Sequence, residues 1–133
     1  MITLKDIEKA HDRIRPFIHR TPILTNSSLN ELSGAELFFK CENFQKAGSF
    51  KIRGATNAVQ LLSEEDLKKG IATTSSGNHG AALSMAVTRR GGKTHVVMPH
   101  NTPKIKVENV KRNGGDLGWW VSSQESSEGV VGE

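Results

Sequence analysis

From Ile71 onward the chain alternates β-rich and helical stretches at short range, and no other feature constrains its fold as tightly. "IATTS" is short and β-branched. "SGNHG" reads as a turn, and "AALSMAVTRR" as a helix that ends in basic residues and two glycines. "THVVMP" is a second β-rich run, and "PKIKVENVKRN" predicts a second helix that a further pair of glycines stops. Strand, helix, strand, helix at this spacing predicts parallel βαβ units. In such sheets ligands bind beyond the carboxyl ends of the strands. Two segments, Ser75 to Gly80 and Pro99 to Thr102, are therefore expected at the rim where chemistry takes place.

The first seventy or so residues are less regular. Thr3 followed by Asp6 resembles a capping box, with Asp in place of Glu. Ile7, Ala10, Ile14 and Phe17 then recur at helical spacing until Pro16 and "HRTP" end the pattern. Ser27 or Ser28 is expected to cap a short helix, "LNELS", that Gly34 stops. "ELFFKCE" predicts a short buried strand, and "NFQKAG" a loop. Ser49 is the expected N-cap of the next helix, whose Ile52, Ala55, Val59 and Leu62 share one face. "SEED" caps a further turn that closes at Gly70.

A length of 133 residues suffices for one hydrophobic core. Eighteen basic and fourteen acidic residues give a formal charge of +4, spread along the chain. A basic stripe with interleaved aromatics, which nucleic-acid binding favours, is absent. Cys41 is the single cysteine, so no intrachain disulfide forms; its apolar neighbours suggest a buried thiol. No Cys/His cluster has zinc spacing. The N-terminus lacks the apolar core of a secretory signal, and no run reaches transmembrane length. The expectation is a soluble, cytoplasmic chain.

Two stretches carry chemistry. In "TSSGNHG", serines, glycines and an asparagine between a strand and a helix leave backbone N–H groups pointing outward, with a helix dipole behind them. A carboxylate would be held well there, with the Ser76 hydroxyl, the Asn78 amide and the His79 imidazole within one turn. A well-capped helix after a βα loop would look the same. The stretch is neither a P-loop nor the dinucleotide fingerprint. In "KAGSFKIRGA", Lys51 follows a small-residue turn at a helix start, where the dipole disfavours positive charge. A lysine nucleophile needs its neutral form, which such a position in a partly dry cleft promotes. Alone, the residue would read as a surface lysine.

Together, "KCENFQ", "GSFKIRGA" and "SSGNHG" resemble the fold-type II pyridoxal-phosphate enzymes, and among them the serine/threonine dehydratases and serine racemases. "HRTPILTNSSLNE" and "VVMPHNTPKIKVENVKRNGG" match the same group. The resemblance runs from about residue 4 to residue 115. Ile52 and Arg53 after the lysine, where the cysteine-synthase branch has an Asp, favour the dehydratase and racemase side. The resemblance implies an α/β fold of open, mostly parallel sheets flanked by helices. It divides the chain into 1–69, part of a large cofactor domain, and 70–133, part of a small domain of βα units. Lys51 is implied as the Schiff-base lysine, Phe50 as a residue packed near the cofactor ring, and Asn78 as the partner of the ring hydroxyl. Ser75, Ser76, Gly77, Asn78 and His79 are implied as the loop that grips the substrate carboxylate. Ser76 is also the implied second proton donor in racemisation.

The implied cofactor is pyridoxal 5'-phosphate, the implied substrate a small hydroxy amino acid, and the implied products a 2-oxo acid with ammonia or the opposite enantiomer. A homodimer is implied, as is a divalent cation, Mg or Ca, whose ligands would lie outside this chain. The family's phosphate-binding glycine loop and its Ser or Thr facing the pyridine nitrogen have no counterpart in residues 81–133. "LGWWV" is a poor copy of the family's next strand, and the tail reads as the opening of a helix that is cut off. The chain alone is thus expected to be inactive. The alternative to an enzyme is a non-catalytic fragment that folds or pairs with a full-length subunit.

Overall fold

The computed structural model describes residues 1–120. The first helix, α1 (Leu4–Ile14), begins with the expected capping box: the Thr3 hydroxyl accepts from the Asp6 N–H, and the Asp6 carboxylate accepts from the Thr3 N–H. Pro16 then tightens the chain into a single 3-10 turn. A two-residue strand, β1 (Ile23–Leu24), precedes α2 (Ser27–Ser33), which Gly34 ends in a left-handed conformation. The cap of α2 is Asn26, not Ser27 or Ser28; its Oδ1 accepts from the Leu29 N–H at 3.0 Å. Asn, Ser and Ser all cap well, and the residue that keeps extended backbone takes the role.

"ELFFKCE" forms only the two-residue strand β2 (Phe39–Lys40), antiparallel to β1. The expected burial is not found, because no element among the described residues covers this ladder: Phe38 is 68 % exposed and Phe39 42 %. Along α1, Ile14 is 5 % exposed while Ile7 is 58 % exposed, so only the end of its apolar stripe is packed. Cys41 is half-buried rather than buried.

The regular part follows: α3 (Lys51–Leu61), α4 (Glu64–Lys69), β3 (Ile71–Thr74), α5 (Asn78–Arg89), β4 (Thr94–Pro99), α6 (Lys104–Arg112) and β5 (Gly115–Trp120). The three strands form a parallel sheet in the order β3-β4-β5, with Ile71 opposite Thr94 and Thr94 opposite Gly115. "LGWWV" thus begins as a good strand. Its glycine leaves room for a cross-strand neighbour: a Cβ at Gly118 would stand 2.7 Å from Nε2 of the exposed His95 on β4. The helical tail expected after it lies outside the described residues.

Two apolar clusters hold the regular part together. Ile52, Ala55 and Val59 of α3 pack with Leu67 of α4 and with Ala82, Leu83, Ala86 and Val87 of α5. Ala81 of α5 packs with Val96, Met98 and Val110 against the sheet. Helix α5 is therefore buried on two faces, and its residues there are small. Arg90 closes the end of α3, donating from Nη1 to the Val59 and Leu62 carbonyls at 2.6 and 2.9 Å. Among the described residues no helix is long and apolar enough to cross a membrane.

Candidate active site

The loop between β3 and α5 is held by one side chain. The Ser75 N–H donates to the Val97 carbonyl at 3.0 Å, carrying the β3–β4 ladder one residue past the strand. The Ser75 Oγ then accepts from the N–H groups of Gly77 (3.2 Å) and Gly80 (2.9 Å). Ser75 is thereby turned inward, and its side chain builds the loop. The N–H groups of Ser76, Asn78 and His79 have no protein acceptor among the described residues. All three residues are exposed, whereas Gly77 and Gly80 are buried. Asn78 and His79 are the first two residues of α5 rather than part of a turn before it. The first turn of α5 carries no acidic side chain. Open donors at an uncompensated positive helix end make an anion seat.

Lys51 is the first residue of α3. The approach to it is tightly bent: Ala47 and Gly48 both adopt positive φ, 59° and 77°. Ser49 has extended backbone, as a cap would, but its hydroxyl reaches no N–H group. The assigned cap is Phe50, whose side chain has no acceptor. The Ser49 Oγ is buried without a partner in a residue 8 % exposed. The Lys51 ammonium lies 5.1 Å from the centroid of the exposed Phe50 ring. It makes no hydrogen bond or ion pair with any of the described residues.

Sequence reasoning missed the scaffold under this lysine. Arg53 holds Glu42 through two parallel bonds, Nε to Oε2 and Nη2 to Oε1, both 2.8 Å. The Thr21 hydroxyl donates to Glu42 Oε1 at 2.5 Å. The Arg53 guanidinium, aided by Thr21 and working against burial, holds the Glu42 carboxyl down at about 2. Nearby, the Gln45 amide accepts from the N–H groups of His19 (2.8 Å) and Lys46 (3.0 Å) and donates to the His19 carbonyl at 2.8 Å. These bonds tie the segment that follows α1 to the turn that delivers Lys51. The available signal was an acid and an amide, Glu42 and Gln45, interrupting an apolar run.

Lys51 and the Ser75–His79 loop stand on α3 and α5, which share the larger apolar cluster. No hydrogen bond links Lys51 to Ser76 or Asn78 among the described residues. The residues present fit pyridoxal phosphate in kind. There is an unpaired amine beside an exposed aromatic ring, an orphaned buried hydroxyl at Ser49, a helix start with no side-chain cap, and a loop of open N–H donors. Among the described residues no group of three His, Cys, Asp or Glu side chains could hold a metal ion.

Comparison with known proteins points the same way. The family model for pyridoxal-phosphate dependent enzymes matches residues 14–129. Over 125 residues the chain is 53 % identical to a serine racemase of Arabidopsis thaliana, covering 94 % of this chain and 38 % of that one. It is 56 % identical over 113 residues to a beta-hydroxyaspartate dehydratase of Paracoccus denitrificans, covering 85 % and 36 %. The solved structure of maize serine racemase superposes with a TM-score of 0.91 at 50 % identity, covering 96 % and 39 %. The chain thus spans under two fifths of the length of these relatives.

Proposed function

This chain belongs to the family of pyridoxal-phosphate dependent enzymes, and on that premise we propose that it carries the reacting lysine and the carboxylate-gripping loop of a dehydratase or racemase of small hydroxy amino acids. When bound, pyridoxal phosphate supplies a conjugated ring that stabilises the negative charge left on Cα once its proton is removed. The chain's own residues do the rest. The Lys51 Nζ would hold the cofactor and, once the substrate's amine has displaced it, would take the α-proton. The Phe50 ring would pack beside the cofactor ring, and the Asn78 amide would meet its hydroxyl. The N–H groups of Ser76, Asn78 and His79 orient the substrate through its carboxylate. The Ser76 Oγ would return a proton in racemisation; if the β-hydroxyl leaves first, as water, the remaining enamine tautomerises to an imine that water hydrolyses to a 2-oxo acid and ammonia. Residues 1–69 and 70–133 are read as parts of a large and a small domain, and the whole protein as a cytoplasmic homodimer.

The observation that carries this reading is the Ser75-locked loop. A serine consumes two N–H groups and leaves three others open at a helix end with no acid in its first turn. Borohydride reduction in the presence of pyridoxal phosphate, followed by peptide mapping, tests it. The label is expected on Lys51 alone. A label on Lys40 or Lys46 instead would remove the assignment.

A further inference from the structure

We propose that Lys106 is a further carboxylate-binding residue of the Ser75–His79 loop, an inference that rests on the reading of that loop as the substrate's carboxylate seat. Lys106 is the third residue of α6, so it comes from the neighbouring βα unit. Its side chain lies across Gly77. A Cβ placed on that glycine would stand 3.1 Å from the Lys106 Cδ and 3.6 Å from its Nζ. The glycine leaves the room in which the lysine stem rests against the loop. With Asn78, Asn109 and Arg112, Lys106 also borders a cleft of about 290 Å³.

Charge accounting gives the contact its meaning. An ammonium in the first turn of a helix is electrostatically misplaced, because the free N–H groups there are already positive. The first turns of α5 and α6 both lack acidic residues. Lys104, also in the first turn of α6, lies 3.8 Å from Glu108, one turn on. Lys106 has no ion pair or side-chain hydrogen bond among the described residues. An unpaired ammonium, two positive helix ends and three open N–H groups therefore gather around Gly77. A negative charge placed there is attracted by every one of these groups, and the carboxylate of an amino-acid substrate brings that charge. Lys106 would thus select amino acids over the corresponding amines.

The test compares two ligands that differ by one carboxylate, L-alanine and ethylamine, neither of which has a β-hydroxyl to lose. Their affinities for the cofactor-loaded protein are measured by calorimetry in wild type, Lys106→Met and Lys106→Arg, with cofactor loading at Lys51 followed by mass. Lys106→Met keeps the stem over Gly77 and removes the charge. It is expected to weaken L-alanine binding by about tenfold or more, the usual scale for a lost charged hydrogen bond. Ethylamine binding and cofactor loading should be unchanged, and Lys106→Arg should recover part of the loss. Normal loading with unchanged L-alanine affinity, or equal losses for both ligands, overturns the role of Lys106 alone. A complete wild-type protein that carries no cofactor on Lys51 overturns the proposed function, and this inference with it.

Discussion

Glu42→Gln should destabilise the fold in a way that depends on pH. The substitution keeps the shape of the side chain and removes the charge that Arg53 grips through two 2.8 Å bonds. The native carboxyl sits at about 2 against an ordinary 4.5. At about 1.36 kcal/mol per pH unit, that depression sets a ceiling of roughly 3 kcal/mol. Solvent reaches both partners, with side chains 17 % and 29 % exposed, so about 1.5–3 kcal/mol is expected. The sign follows from the depressed value. Stability from Glu42 is fully present above the unfolded value, near 4.5, and is lost as pH falls towards about 2. Urea unfolding from pH 7 to 2.5 measures this. The gap between wild type and Glu42→Gln should hold constant from pH 7 to about 5.5, then close as acid protonates the wild-type carboxyl. Curves that stay parallel down to pH 2.5 would show that the carboxylate charge is not what stabilises the turn before Lys51.

Two further outcomes concern the loop. Ser76→Ala in the complete enzyme should lower racemisation by roughly 10²–10⁴-fold, the worth of one positioned proton-transfer group, while elimination falls less; equal losses in the two assays would reduce Ser76 to a binding role. Gly80→Ala, which on helix propensity alone would stabilise by about 1 kcal/mol, should instead lower the thermal midpoint. Its Cβ would stand 2.8 Å from Val96 Cγ1 and 3.3 Å from the Ser75 Cβ, forcing α5 away from β4; an unchanged or raised midpoint would refute the tight seating.

The β3-to-α6 half was legible because each element there is specified by its own residues. β-branched runs and glycine stops occur within a few positions of what they control. The Ser75–His79 loop at the head of α5 was legible as a turn with outward N–H groups for the same reason, although the role of Ser75 as its internal brace was not. Burial was harder to read. "ELFFKCE" looks like core, yet a strand's burial is decided by what packs on it, and nothing in seven residues states that. The Glu42–Arg53 pair and the Gln45 clamp on His19 were invisible for a related reason. They join residues with no shared periodicity, and only the folded chain brings them together. The same holds for Lys106 over Gly77, where two successive βα units meet at the rim.

The turn at Ala47 and Gly48 bears on the order in which the molecule comes together. Two successive residues sit at positive φ, and one of them carries a Cβ that makes this conformation cost about 1–2 kcal/mol. An unfolded chain visits that arrangement rarely, so the turn cannot serve as a nucleus. One local bond closes it, from the Gly48 N–H to the Gln45 carbonyl at 2.9 Å, and non-local contacts support it: Ala47 packs on the α3–α5 cluster, and Gln45, two residues earlier, is pinned to His19. Helix α3 can therefore wind, and its apolar face can dock, before Lys51 has its final setting. The Lys51 amine is then among the last parts of the molecule to be fixed, so on the proposed assignment its capture of the cofactor would report a chain that has finished folding.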